Sequence, residues 1–347
     1  MADVVVTYRH GTDPDDAARA GAGADVDMGT SLAGLRLPAP VLTASGCSGM
    51  GRELAPFCDL TALGAVVTKS VMVAPRAGRP TPRMAETPSG MLNSIGLQGP
   101  GVEAFCEYDL PWLADRGIRT VVSIAGESVD EYARLARRLR GEPGVSALEV
   151  NISCPNVANR GLVFACQPAT AAEVTAAVHR ADPGVPVLVK LSPDVTDLVA
   201  VAAAVVDAGA DGLTLINTLL GMAVDPLTLR PTLAGGTGGL SGPAIHPVAV
   251  RAVHQVHAAL PDVPILGVGG VASGWDALEL VAAGASAVSV GTATFGDPSA
   301  PSRVLAELRS ELACRGIRRF TDAVGLAHRP GPDGGAAPVA VAAGEPG

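Results

Sequence analysis

Ala147-Leu-Glu-Val-Asn-Ile-Ser-Cys-Pro-Asn156 is the stretch from which the fold can be read. Ala147 to Ile152 reads as a buried strand. Pro155 has no backbone N–H to give a neighbour, so the strand cannot continue in a central sheet position. It therefore ends by presenting Asn151, Ser153, Cys154 and Asn156 in one short polar turn. Two carboxamides offer donors and acceptors to an imide or amide ligand, and a thiol is the one nearby group able to take a proton. Taken alone, the stretch reads better as a strand end with an inert, buried cysteine, the usual fate of a lone Cys. The rest of the chain decides between the two.

Outward from this strand, one pattern repeats: a short apolar run, a polar or glycine-rich turn, then a helical stretch. The runs are Val41–Ala44, Ala65–Thr68, Thr120–Ile124, Leu148–Ile152, Val187–Leu191, Gly212–Ile216, Ile265–Val268 and Ala287–Val290. They are rich in Val, Ile and Leu with little alternation, as expected of parallel strands buried on both faces. Helical periodicity separates them around Val102–Arg116, Ser128–Leu139, Ala171–Arg180, Asp197–Ala208, Pro247–Ala259, Gly274–Ala282 and Ala300–Cys314. Eight such units predict an α/β fold of the (β/α)8 TIM-barrel type. A doubly wound open sheet is the alternative, with fewer strands and a single switch point.

Leu32 to Leu37 predicts a hairpin plugging the base of the fold, and Val71–Gly90 and Leu219–Gly242 are insertions of lid or interface length. Residues 1–27 read as a disordered leader, with Met28 a candidate start, 28–327 as the barrel, and 328–347 as a disordered Pro/Gly-rich tail. Hydrophobic residues make up 48% of the 347 and aromatics only 3%, so aliphatic side chains must fill the core. The net charge of −9, without a Lys/Arg run, argues against a nucleic-acid or anionic-membrane surface. Six cysteines without a C-x-x-C pair read as reduced thiols, and no apolar run reaches membrane-span length. A soluble, cytoplasmic protein is expected.

In such barrels chemistry collects past the C-terminal strand ends. Those positions hold Ser45-Gly46, Lys69-Ser70, Ser123, Asn151 to Asn156, Lys190, Asn217-Thr218, Gly269-Gly270 and Gly291-Thr292, all polar or glycine. Lysines are almost never buried unpaired, so Lys69 and Lys190 either reach the rim or share an anionic ligand. Gly269-Gly270 and Gly291-Thr292, each before a helix in the last two units, suit a phosphate. No set of His, Asp or Glu has metal-ligand spacing, and His254 and His257 are expected at the surface.

Lys69-Ser70, Asn93-Ser-Ile-Gly-Leu97, Asn151-Ile-Ser-Cys-Pro-Asn156, Val189-Lys-Leu-Ser-Pro193, Ile216-Asn-Thr-Leu219, Gly239-Leu-Ser-Gly-Pro243, Gly269-Gly270 and Gly291-Thr292 together resemble class 1 dihydroorotate dehydrogenases. The resemblance runs from about Met28 to about Leu326, and Asn217 to Gly221 with Gly238 to Ile245 is similar to branch 1B. It implies an FMN barrel that oxidises dihydroorotate to orotate in pyrimidine synthesis. It further implies a homodimer, extended to a heterotetramer by a subunit carrying FAD and a 2Fe–2S cluster that passes electrons to NAD⁺. A related barrel for dihydrouracil, or a non-catalytic phosphate-binding barrel, would share much of the pattern.

By position, the resemblance makes Cys154 the catalytic base. Substrate would be held by Lys69, Asn93, Asn151, Asn156, Asn217 and Thr218, with Ser94, Ile95, Gly96 and Leu97 in the same segment as Asn93. Flavin would contact Ser45, Lys69, Ser70, Ser123, Asn151, Lys190, Ile216 and Gly242, and Gly269, Gly270, Gly291 and Thr292 would take its phosphate. Two features depart from the family pattern: Ser123 stands where an Asn is usual, and Gly46-Cys-Ser-Gly-Met-Gly51 lacks the usual aromatic.

Overall fold

The computed structural model describes residues 26–152 and 167–330. In chain order, β1 (Thr30–Leu32) and β2 (Leu35–Leu37) form a hairpin, followed by β3 (Val41–Thr43), β4 (Val66–Val67), β5 (Met84–Thr87) and β6 (Gly90–Asn93). Next come β7 (Thr120–Ile124), β8 (Val145–Asn151), β9 (Val187–Leu191) and β10 (Gly212–Leu215). The last strands are β11 (Leu219–Gly221), β12 (Gly238–Ser241), β13 (Ile265–Val268) and β14 (Ala287–Val290).

Eight of these make one parallel sheet in the order β3-β14-β13-β10-β9-β8-β7-β4. Chain order is kept around the sheet, and β3 meets β4 to close it. Across this seam the Gly64 N–H donates to Val41 O at 2.8 Å and the Val67 N–H to Thr43 Oγ1 at 3.0 Å. A Cβ at Gly64 would lie 2.4 Å from Ala39 O, so the close approach requires glycine. The sheet is thus a (β/α)8 barrel, and no reversal of strand order leaves room for the open-sheet alternative.

Inward-facing Leu42, Val67, Val121, Ala147, Leu188 and Leu266 pack as one cluster with Leu32 and Leu37 of the hairpin, which closes the base as predicted. The hairpin turns through Ala33 and Gly34, both at positive φ (51° and 83°), the two-residue turn that matches strand twist. The outward faces pack against helices including Val129–Leu139, Pro168–Arg180, Leu198–Asp207, His246–Ala259, Gly274–Ala282 and Ala300–Cys314. Ser128, Asp197 and Ser273 cap three of them by accepting hydrogen bonds from the backbone N–H three residues on. Each cap follows a barrel strand and so fixes the loop at its C-terminal end.

Strands at 120–124, 187–191, 265–268 and 287–290 lie where the sequence predicts them. The two insertions were read as separate loops, but they join in one antiparallel sheet, β11-β12-β6-β5. Their strands are three or four residues long and glycine-rich, below what periodicity detects. Val26 is buried, and Asp27 bridges to Arg319. Of the 1–27 leader and the 328–347 tail, residues 1–25 and 331–347 lie outside the described residues, whereas Val26, Asp27 and His328 pack on the barrel. No described helix is long and apolar enough to cross a membrane.

His254 and His257 are half-buried rather than on the surface, because the turn Leu326–His328 folds over their helix. His254 stacks on His328 with ring centroids 4.0 Å apart. Burial, then the His328 ring, holds both imidazoles below the ordinary histidine range. The unfolded chain accepts these protons near pH ~6.5 and the folded chain resists them. The stability they support is present above that pH and is lost as pH falls through the lower folded values. The thermal midpoint is therefore expected to drop between about pH 7.5 and 5. A His254→Gln/His257→Gln variant should drop less steeply, and superimposable slopes would refute the account.

Candidate active site

At the C-terminal mouth of the barrel, polar side chains from five strand ends form one hydrogen-bonded chain. Ser45 donates to Ser123 at 3.2 Å, and the Ser70 and Ser123 hydroxyls lie 3.0 Å apart. Asn151 Nδ2 donates to Ser70 Oγ at 3.1 Å, and Asn217 Nδ2 to Asn151 Oδ1 at 3.2 Å. Asn217 Oδ1 accepts from the Thr218 N–H at 2.8 Å. Thr218 packs on Gly239, where a Cβ would meet its hydroxyl at 2.0 Å, and Asn93 Nδ2 donates to Gly239 O at 3.3 Å. Tyr132, from the helix after β7, donates to the Asn151 backbone carbonyl at 2.8 Å and holds the strand end in place. Ser123 is fully buried and joins the other two serines in a three-hydroxyl cluster.

Lys190 is buried, and its Nζ lies 3.7 Å from Glu149 Oε1 inside the barrel. Lys69 reaches the same mouth: its Nζ is 3.6 Å from where a Cβ at Gly46 would stand. Between the lysines sits Cys47, whose Sγ is 3.3 Å from the corresponding point at Gly291. Burial pushes the Cys47 thiol up, outweighing the pull of Lys190 and Lys69 in the other direction. It is held as a thiol and is not a base. The sequence reading had not assigned Cys47, Tyr132 or Glu149 a role. Glu149 could have been noticed as the one charge in the apolar run Ala147 to Val150, and Tyr132 as one of only three tyrosines.

Gly242, Gly270 and Thr292 converge on one side of the mouth. A Cβ at Gly270 would lie 2.9 Å from Gly242 O, one at Gly242 3.6 Å from the Thr292 methyl, and both glycines have positive φ (69° and 91°). Backbone here is bare, as a bound phosphate requires. Thr292 donates to Ser241 Oγ at 2.8 Å, and buried His246 holds Gly269 O through Nδ1 at 2.8 Å. Ile216 lies against Gly269, and Gly291 faces Ala44 and Cys47.

Of the segment after Asn93, Ser94 is buried and accepts from Arg79 at 3.2 Å, Ile95 O takes the Arg79 N–H, and Leu97 packs with Met72 and Ala125. Gly96, at positive φ, lies against Arg79. These four residues meet the first insertion and form the wall rather than the polar chain. Ser153, Cys154, Asn156 and Cys166 lie outside the described residues. β8 delivers the chain to that segment at Ile152, directly beyond Asn151.

A closed (β/α)8 barrel with this mouth is an enzyme scaffold whose chemistry sits at the strand ends. A family model described as dihydroorotate dehydrogenase matches residues 28–312. The chain is 53% identical over 306 residues to a Desulforudis audaxviator protein named "Dihydroorotate dehydrogenase B (NAD(+)), catalytic subunit", covering 88% of this chain and 99% of that one. A Geobacillus kaustophilus protein of the same name is 49% identical, with 88% and 96% covered. In fold it resembles a crystal structure of DHODH in complex with ferulenol from Eimeria tenella, with a TM-score of 0.74 at 24% identity over 92% of this chain and 96% of that one. The chain belongs to the dihydroorotate dehydrogenase family, class 1B.

Because its thiol stays protonated, Cys47 should resist alkylation. With iodoacetamide near pH ~8, site-resolved mass spectrometry is expected to find exposed Cys314 modified well before Cys47. Faster modification of Cys47 would contradict the burial argument.

Proposed function

We propose that this chain oxidises (S)-dihydroorotate to orotate in pyrimidine biosynthesis, using FMN bound in the barrel mouth. The observation that carries the reading is the continuous chain from Ser45 through Ser70, Asn151 and Asn217 to Thr218, flanked by Lys69 and Lys190. A planar imide with a carboxylate needs such alternating donors and acceptors plus a cation.

The residues present fit FMN. Bare backbone at Gly242, Gly269, Gly270 and Gly291, with the Thr292 hydroxyl, suits a phosphate. Ser45, Ser70, Ser123, Asn151 and Ile216 would line the ring, and Lys190 would balance negative charge arriving on it. When bound, FMN supplies the acceptor for the hydride leaving carbon 6. Cys154 takes the proton from carbon 5, so one proton and one hydride depart and a carbon–carbon double bond remains. Asn93, Asn151, Asn156, Asn217 and Thr218 orient the ring, Lys69 meets its carboxylate, and the segment Ser94 to Leu97 excludes water.

Electrons then pass to a separate subunit with FAD and a 2Fe–2S cluster that reduces NAD⁺, in keeping with the relatives' naming as catalytic subunits. Exposed Leu220, Met222, Val224 and Leu227 on the second insertion suit a protein interface, and we read the assembly as a homodimer extended to a heterotetramer.

Purified protein is expected to be yellow, with one FMN per chain. A colourless protein that takes up no FMN on incubation would refute the reading. Cys154→Ala is expected to slow flavin bleaching by dihydroorotate roughly 10²–10⁴-fold in stopped flow, the range for losing a general base. FMN content and orotate binding should be retained, and Cys166→Ala should behave as wild type. A fully active Cys154→Ala would sink the assignment of the base.

A further inference from the structure

We infer that Glu149 is a positioning residue that offsets the charge of Lys190, so that it sets how strongly the site favours reduced over oxidised flavin. The inference rests on the FMN reading above.

Strand alternation turns Glu149 into the barrel. It pairs in register with Leu188, Ser123 pairs with it from the other side, and Leu188 belongs to the inner cluster. The residue is only 1% exposed. Such a carboxylate should be surrounded by donors, yet Oε1 accepts no hydrogen bond, and its nearest charge is Lys190 Nζ at 3.7 Å. Nothing in the strand ladder needs this side chain, and a leucine would suit the surrounding layer better. Its one evident partner is the lysine at the strand end.

The buried carboxylate subtracts from the field the lysine projects into the mouth. Other charge facing this point comes from Lys69, and the Cys47 thiol beside both lysines is neutral. With Glu149 ionised, the pair it forms with Lys190 carries about no net charge; without it, Lys190 contributes about one positive charge more.

The test uses the FMN-loaded protein. In Glu149→Gln, which keeps shape and removes charge, the ratio of oxidised to reduced FMN dissociation constants should rise about tenfold or more, about 30 mV in a two-electron midpoint potential. Lys190→Met should move the ratio the other way. Glu149→Asp, which keeps the charge, should return it to within about threefold of wild type. A merely structural role would change FMN content without this charge-dependent pattern. Glu149→Gln that binds FMN with an unaltered potential overturns the inference, whereas wild type that binds no FMN overturns the functional reading instead.

Should Glu149→Gln not fold, infrared difference spectra of wild type with ¹³C-glutamate give the answer. Glu149 is the only glutamate among the buried polar side chains of the described residues. Flavin reduction should perturb an ionised glutamate band, and its absence overturns the inference.

Discussion

Everything at the mouth depends on a seam of four backbone and side-chain hydrogen bonds, where the two-residue strand β4 meets β3. A parallel sheet left open there would expose two edges and let the strand ends splay. Closed, it aims the C-terminal ends of eight strands at one circle. Ser45, Lys69-Ser70, Ser123, Asn151, Lys190 and Asn217 become neighbours although they span about half of the chain. Gly64 is what permits the approach, and Thr43 supplies a side-chain hydroxyl where β4 is too short to offer a full ladder. The site is thus a property of ring closure before it is a property of any one loop.

Inside the ring the chemistry changes along the axis. The base is aliphatic, sealed by Leu32 and Leu37. The next polar layer holds Glu149, Lys190 and Thr214, and the rim above is hydroxyl and carboxamide. Moving charge from water into such an interior costs several kcal/mol per ion, so ions persist there only in company. Polarity rises toward the mouth, where ligand groups can complete the remaining hydrogen bonds. At Cys47 the loss of hydration outweighs the pull of the two lysines and holds the thiol above its ordinary range.

Much of this was legible in the residues themselves. Buried parallel strands are written in short runs rich in Val, Ile and Leu, so Thr120–Ile124 and Val187–Leu191 could be bounded to the residue. Strand ends turn polar abruptly, which marked Lys69, Asn151, Lys190 and Asn217 as rim positions. The four-stranded sheet of the insertions was not legible, because Gly238-Gly-Leu-Ser241 and Gly90-Met-Leu-Asn93 carry no period and find each other only in space. Tyr132 escaped notice for a related reason: its hydroxyl acts across two elements, on a backbone atom that no motif names. His254 and His257 looked like surface residues because the turn that covers them lies some seventy residues further on.

The composite sheet also has a temporal side. Asn93 and Gly239 are 146 residues apart in sequence. At roughly 5–20 residues per second of synthesis, the hairpin β5–β6 waits about 7–30 s for the strand that flanks it. Over that interval half of the chain has left the ribosome and the wall of the mouth has no second sheet partner. The nascent edge of β6 is short and interrupted by glycine at its start, a poor template for strands from other chains. Brevity that hides these strands from a sequence reader would also protect them while the polypeptide is still being made.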